Sequence, residues 1–486
     1  MDGRGLPGLV ELMERVGVAV TATGEALATY HQALEAYQQV EDSTRDQADC
    51  LNGTGLALAG QGRCEEALEA YRQALETYRQ VEGTTQVQGT CLRNAGDTLR
   101  RLNRYEEALA SYRRALEAYR QAEGAERDVA DCLGGIGRAL RGLKRYEEAL
   151  DNFRQALEAY RAVPGTERPQ AVCLLDTGNA LDDLGRYEEA VDLYGQALEA
   201  YRQVEGSERD QADCVINTGR ALDALKRREE ALSAYRQALE LYRALPGTTV
   251  AQANCLHYGI GLTLQTTGRY SQALEVYDQS LELYRQVGDT QRDQANCRYN
   301  AANALRRSQR YEEARLAYQD ALSLYRQVEG TEEDQADCLN GVGLAMTGAG
   351  RSEAALAPYS LALDIYRQLP GTELDQANCL HSTANALDDV GRYAEAVEAY
   401  RQSLELYRQV GRTSREQANC LYNIGGTLRR ARRYEEAMTS YRQALEAYRQ
   451  VEGTEKDQAD CLGSTGTVLR GLKRYEEALD NFRQAL

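Results

Sequence analysis

The chain has no tryptophan, and its 486 residues hold only 2 phenylalanines, 6 prolines and 3 histidines. So few prolines and bulky aromatics, set against 32 tyrosines and an abundance of Ala, Leu, Glu, Gln and Arg, describe a nearly all-helical protein. Positive charge is also short: 57 Lys and Arg face 75 Asp and Glu, a net charge of −18. Such a surface repels nucleic-acid backbones and anionic membranes, so neither is expected as a partner. No stretch of 18 residues is apolar enough to span a membrane. The amino terminus carries Asp2, Glu11 and Glu14 where an export signal would be basic and then apolar. The chain therefore reads as soluble and cytoplasmic, with a length that would suit about three ordinary domains.

What is present overrides that domain arithmetic. Of the 12 cysteines, eleven stand at Cys50, Cys91, Cys132, Cys173, Cys214, Cys255, Cys297, Cys338, Cys379, Cys420 and Cys461. Every step is 41 residues except that from Cys255 to Cys297, which is 42. A fixed period of this length marks a solenoid of stacked supersecondary units. Starting each unit two residues before its cysteine gives full units at 48–88, 89–129, 130–170, 171–211, 212–252, 253–294, 295–335, 336–376, 377–417 and 418–458. A partial unit follows at 459–486. Residues 1–47 contain a degenerate unit (7–47) with Leu9 in the cysteine position, as expected of a cap.

Within the unit that begins at Ala48, apolar and small residues recur at helical spacing in two blocks separated by a Gly-Arg turn. The pattern predicts helix A over 47–60 and helix B over 65–81. Gly83 is expected as a C-cap and Thr84 as an N-cap, with the same pairing at Gly165-Thr166, Gly206-Ser207, Gly330-Thr331, Gly371-Thr372 and Gly453-Thr454. Short connections make successive helices antiparallel.

Counted from Ala48, the unit carries Leu51, Gly55, Leu58, an aromatic slot at 64, Ala67, Tyr71 and Ala74, and the run Arg-Tyr-Glu-Glu-Ala recurs, as at Tyr105, Tyr146 and Tyr434. This resembles the tetratricopeptide repeat signature, lengthened by seven residues that replace its usual proline with Tyr-Arg-Gln-Val-Glu-Gly. Seven residues are about two helical turns, so the helices lengthen without rotating one face against the next. Repeats of this length are similar to those of kinesin light chain and of bacterial arrays joined to signalling or protease domains. The resemblance implies an all-α, right-handed α-α superhelical solenoid that binds protein or peptide in a concave groove.

The cysteine of helix A admits three readings, a metal ligand, a redox thiol or a small buried hydrophobe. The register favours the last, because equivalent residues of stacked units lie about 10 Å apart, beyond disulfide reach. Cys64, in the aromatic slot, reads as a tolerated packing defect. The pairs Gly53-Thr54-Gly55 and Gly341-Val342-Gly343 lack the third glycine of a nucleotide-binding fingerprint and follow no strand, so they read as close helix packing. Asn52-Gly53-Thr54 is a formal glycosylation sequon on a cytoplasmic helix. With His31, His257 and His381 as the only histidines and no nucleophile-base-acid set or Walker-type loop, neither catalysis nor a metal or cofactor is expected. Paired glutamates such as Glu106-Glu107 favour the start of helix B through its dipole.

The second, fifth, sixth, ninth, twelfth and thirteenth positions of helix A share one face and vary between units. In tetratricopeptide repeats that face lines the groove. Carried over, the resemblance implies a site made of Asn94, Asn179, Asn217, Asn300, Asn303, Asn385 and Asn423, with Tyr258, Tyr299, Tyr422, His257 and His381. A row of carboxamides suits a peptide backbone, since each both donates and accepts. Solvated polar residues on an inner face are the plain alternative. Charge alternates along the same face as Arg100-Arg101, Asp182-Asp183, Arg306-Arg307, Asp388-Asp389 and Arg429-Arg430, so different segments are expected to prefer ligands of different sign. The carboxylate clamp of chaperone-binding repeats is not matched, because Arg93 is followed at the ninth position by Asp97.

Residues 140–157 and 469–486 are identical, which points to duplication. Leu486 falls midway through helix B, so the natural polypeptide is expected to be longer. Two functional readings follow. One is a non-enzymatic interaction scaffold. The other is the regulatory part of a larger bacterial enzyme, a caspase-like protease, nucleotide-binding switch or kinase, whose effector domain lies beyond Leu486.

Overall fold

The computed structural model describes residues 24–411 and 414–485. The first half of the degenerate unit, including Leu9, and Leu486 lie outside them. Twenty-three helices and no strand occur among the described residues, arranged as tandem antiparallel pairs. The chain is an all-α, α-α solenoid. It divides into two compact units between Leu245 and Pro246. In each, helix A packs on its own helix B, and helix B on the next helix A.

The helices differ from the predicted bounds in an informative way. Helix A runs Thr44–Gly60 and helix B Cys64–Tyr78 in the first full repeat, against the expected 47–60 and 65–81. Helix A starts early because Thr44, directly after the turn residue Ser43, already enters the helix. The predicted caps need correction. Gly83 is not a helix C-cap: Arg79 holds that place, and Gly83, at φ 75°, lies in the connecting turn where positive φ favours glycine. Thr84 holds the N-cap position of the next helix, as expected, but makes no side-chain cap bond to it. Its hydroxyl donates backwards, to the carbonyls of Tyr78 and Val81 (both 2.8 Å), and accepts from Gln88 Nε2 at 2.9 Å. The same arrangement recurs at Thr166, Ser207, Thr290, Thr331 and Thr454. These buried hydroxyls tie the end of one repeat to the start of the next, satisfying carbonyls that a helix end leaves without partners.

Helices A and B interlock through a ring against a glycine. Tyr71, Tyr112, Phe153, Tyr194 and Tyr359 are each at most 1% exposed, and a Cβ on the facing Gly55, Gly96, Gly137, Gly178 or Gly343 would come within 3 Å of the ring. Only hydrogen lets the ring approach that closely. The glycine pairs are therefore packing features, as read from sequence.

All twelve cysteines are buried. Burial pushes the thiols up, to about 12 for Cys91 and Cys173. Several also donate across the repeat junction: Cys91 to the carbonyl of Tyr71 (3.4 Å), Cys173 to that of Phe153 (3.1 Å) and Cys297 to that of Tyr277 (3.3 Å). The Cys64 slot faces the next repeat. Tyr105 and Tyr311, in the same slot, lie where a Cβ on Gly142 or Gly348 of the next repeat would collide with them. In the Cys64 repeat the matching residue is Arg101, and tyrosine stands opposite an arginine at the same place in the pairs Tyr270 with Arg307 and Tyr393 with Arg430, so the neighbour does not account for the small residue.

The extra residue of the 253–294 unit is taken up inside helix A, where Cys255–Gly261 forms a π-helix between Thr249–Asn254 and Leu262–Thr266. The bulge restores register, so that Gly261 faces the Tyr277 ring as its counterparts do in other repeats.

The paired glutamates divide the work at the turn. Arg145 Nε and Nη2 donate to Glu148 at 2.7 and 2.6 Å, and this fork recurs from Arg63–Glu66 to Arg474–Glu477. The first glutamate faces the following repeat, as Glu65 does toward Arg104 (3.2 Å).

Candidate functional site

The helix-A face carries the residues singled out by position, but it uses many of them internally. His257 is fully buried and Asn94 is 9% exposed, so neither presents a side chain to a ligand. The π-helix turns His257 inward, onto the edges of Tyr277 and Tyr284, while Tyr258 stacks over it at 3.9 Å and stays 42% exposed. Desolvation lowers the imidazole to about 4, and it is neutral at pH 7. Asn300 Nδ2 lies 2.9 Å from His257 Nε2, and Asn423 Nδ2 lies 3.1 Å from His381 Nε2, pairing the face across neighbouring repeats. Tyr299 and Tyr422 are half-buried against the core rings of Tyr318 and Tyr441.

The ninth-position carboxamides have one side committed. Tyr318 Oη donates to Asn303 Oδ1 at 2.7 Å, Tyr400 to Asn385 at 2.5 Å and Tyr194 to Asn179 at 3.0 Å. Asn217 Nδ2 donates to the same Asn179 oxygen at 3.1 Å. The expectation that each amide both donates and accepts toward a ligand is corrected accordingly: the core tyrosines occupy the oxygens of Asn179, Asn303 and Asn385, leaving their Nδ2 groups as donors, that of Asn303 lying beside the Tyr299 hydroxyl. Asp97 stands at the same position and takes the Tyr112 hydroxyl at 2.6 Å.

The charged pairs also compensate one another. Asp388 is 7% exposed and ion-paired with Arg430, one repeat away. Asp183 accepts from Arg141 at 2.6 Å, Asp182 lies 3.8 Å from Arg220, and Asp389 accepts from Ser352 at 3.0 Å. Arg306 Nε donates to Tyr318 Oη at 3.3 Å, and Arg101 Nη1 to the Ala59 carbonyl at 2.7 Å. Asp182, Asp183, Asp388 and Arg430 are thus neutralised within the wall, whereas Arg100, Arg101, Arg306, Arg307 and Arg429 make no ion pair among the described residues. Arg307 and Arg429, which lie in the second unit, are exposed and half-buried respectively.

Two sets of residues escaped the sequence reading. The second-position Asp or Asn, placed on the groove face, holds the last tyrosine of its own helix B: Tyr78 to Asp49, Tyr160 to Asp131, Tyr325 to Asn296 and Tyr407 to Asn378, at 2.5–2.7 Å. The signal was the constant spacing of 29 residues between them. The other set is Arg138, donating to Asp176 at 3.1 Å, and Arg93, donating to Asp128 and Asp131 at 3.0 and 2.7 Å. These ties run from a fifth or ninth position to the next repeat, a pattern visible only when adjacent units are compared.

Stacked helix pairs held in register by repeat-spanning bonds define a solenoid that presents one continuous helical wall within each unit. Tetratricopeptide repeat sequences match residues 22–80, 88–162, 170–244, 252–327, 334–409 and 416–486, and the chain belongs to the tetratricopeptide repeat family. Proteins of this family are protein-interaction scaffolds and generally not catalysts. Among solved structures, the apo form of RapI is 14% identical, with a TM-score of 0.57 over 75% of this chain and 98% of that one. BtubC (BKLC) from P. vanneervenii is 18% identical, with a TM-score of 0.42 over 46% of this chain and 92% of that one. No curated protein matches the sequence. Among the described residues, no helix is long and apolar enough to cross a membrane.

Proposed function

We propose that this chain is a non-enzymatic scaffold that holds an extended segment of a protein partner along the helix-A face. The observation that carries this reading is the orientation of the ninth-position amides. With Oδ1 anchored by a core tyrosine, Asn303 and Asn385 each hold an Nδ2 donor at a set angle, a preorganised contact for a backbone carbonyl. The exposed ring of Tyr258 and the half-buried Tyr299 and Tyr422 supply apolar contact beside them.

The test uses a peptide selected from a displayed random library on the full chain. Asn303→Asp and Asn385→Asp keep the acceptor for Tyr318 and Tyr400, as Asp97 does for Tyr112, but remove the donor. Each is expected to weaken binding by about 0.5–1.5 kcal/mol, the net worth of a neutral hydrogen bond, or more where the new charge is opposed. Arg113→Ala and Gln155→Ala, on exposed positions of helix B, are expected to leave binding unchanged. Loss from these controls, with the asparagine variants unaffected, would move the site to the opposite face.

A further inference from the structure

Three arginine pairs end helix A at the twelfth and thirteenth positions, and they are not equivalent. Arg430 is paired with buried Asp388, and Arg306 donates its Nε to Tyr318. Arg100 is different: its Nε is buried without a hydrogen-bond partner, the only arginine nitrogen so placed among the described residues. A buried N–H of a charged group left without an acceptor is costly, and native structures seldom keep one without a use.

Arg100 lines a cavity of about 520 Å³ formed by three successive repeats of the first unit, together with Arg101, Arg138, Arg141, Asp176 and Asp183. Each nearby carboxylate already accepts a hydrogen bond. Asp176 accepts from Arg138 and Asp183 from Arg141, and nearby Asp97 is occupied by Tyr112. Arg101 has one nitrogen on the Ala59 carbonyl, which leaves its charge unbalanced, and neither it nor Arg100 makes an ion pair among the described residues. Four guanidiniums therefore face two lining carboxylates, with Asp97 beside them, in a chain whose net charge is −18. Diffuse attraction cannot bring an anion to such a protein, so any anion that binds must be held by local geometry.

We infer that this cavity is an oxyanion site, which receives a carboxylate or phosphoryl group carried on the partner segment, with the Arg100 guanidinium as the directing donor. The inference rests on the proposed use of the helix-A face, and it names the chemistry recognised at one place on it. A planar guanidinium presents parallel donors that match a carboxylate or phosphate edge, which a lysine does not.

The test is fluorescence anisotropy with a labelled, acetylated octaglutamate peptide and a phosphoserine-containing analogue, on the full chain and with inorganic phosphate as competitor. Binding of either peptide is expected, weakening as salt rises. Arg100→Gln should weaken it about tenfold, the size of a charge-assisted hydrogen bond. Arg100→Lys, which keeps the charge but lacks the planar fork of donors, should recover only part of the loss. Arg429→Gln, in the second unit, should change affinity less than about twofold. Unfolding midpoints of the variants separate lost binding from lost structure. Competition by phosphate with both peptides bound supports recognition of the oxyanion itself, and binding of one peptide alone identifies its source. Absence of binding to both peptides, or equal loss from Arg429→Gln, overturns the inference. If Arg100→Gln is silent while Asn303→Asp still weakens the library-selected peptide, the cavity assignment fails and the scaffold reading stands. The reverse pattern keeps the cavity and defeats the extended-segment reading.

Discussion

Residues 140–157 and 469–486 are the same eighteen amino acids, LRGLKRYEEALDNFRQAL, in two different surroundings. In the first copy Phe153 is fully buried and Leu150 is 7% exposed, because the next helix A closes over them. In the second, Leu479 is 50% and Tyr475 64% exposed, and Phe482 is half-buried. Both copies fold into helix B, Tyr146–Arg161 and Tyr475–Ala485, with the same arginine-glutamate fork at the turn. Local structure is thus set by the segment, while burial is set by the repeat stacked on it. In a solenoid the second contribution is an interface energy added to the first.

The largest predicted contrast follows from Phe153 and Phe482. Phe153→Ala should cost about 3–5 kcal/mol, as for a ring removed from a closed core, and Phe482→Ala less than about 2 kcal/mol. Denaturant unfolding of the two variants measures this directly. Hydrogen exchange sharpens it, with amides of 475–485 expected to exchange faster than those of 146–161. Equal costs and equal protection would break the comparison, showing that the two environments are alike in solution.

A smaller contrast lies in the facing glycines. A Cβ on Gly137 would sit 2.5 Å from Phe153, which is enclosed, whereas one on Gly466 would sit 2.9 Å from Phe482, which has room to move. Gly137→Ala should therefore destabilise by about 1–3 kcal/mol and Gly466→Ala by clearly less, read from thermal or denaturant midpoints. The smallest effect has the opposite sign. Gly463 lies inside helix Glu455–Gly471, and nothing comes within 4 Å of an added Cβ. Gly463→Ala should stabilise by up to about 1 kcal/mol through helix propensity, and destabilisation there would reveal a neighbour that the structure does not contain.

Much of this architecture was legible in the amino acids alone. The 41-residue spacing of Cys50, Cys91 and Cys132 gave the period, and the ring-facing Gly55 and Gly96 gave the packing side of helix A, since both arise from contacts repeated in every unit. The buried cysteines and the glutamates beside each turn arginine were legible for the same reason. Turn chemistry was harder. Thr84 takes the N-cap place that its residue type suggests, but its hydroxyl finds acceptors in Tyr78 and Val81 once residues 79–84 fold back.

The candidate face was legible by position and not by availability. Periodicity placed Asn385, Asp388 and His257 on one side of helix A. It could not show that Tyr400 takes the oxygen of the first, that Arg430 neutralises the second, or that a π-bulge buries the third. Sequence by itself determined the helices, their pairing and their period, because those follow from spacings within a single unit. Only the tertiary structure decided which polar groups remain free, because that depends on side chains 15 residues away on the paired helix and 38 to 43 residues away on the next repeat, brought within hydrogen-bond distance by packing. Arg100 shows the consequence: Arg306 at the same position donates its Nε to Tyr318, whereas the matching Tyr112 is held by Asp97 and the Nε of Arg100 is buried without a partner.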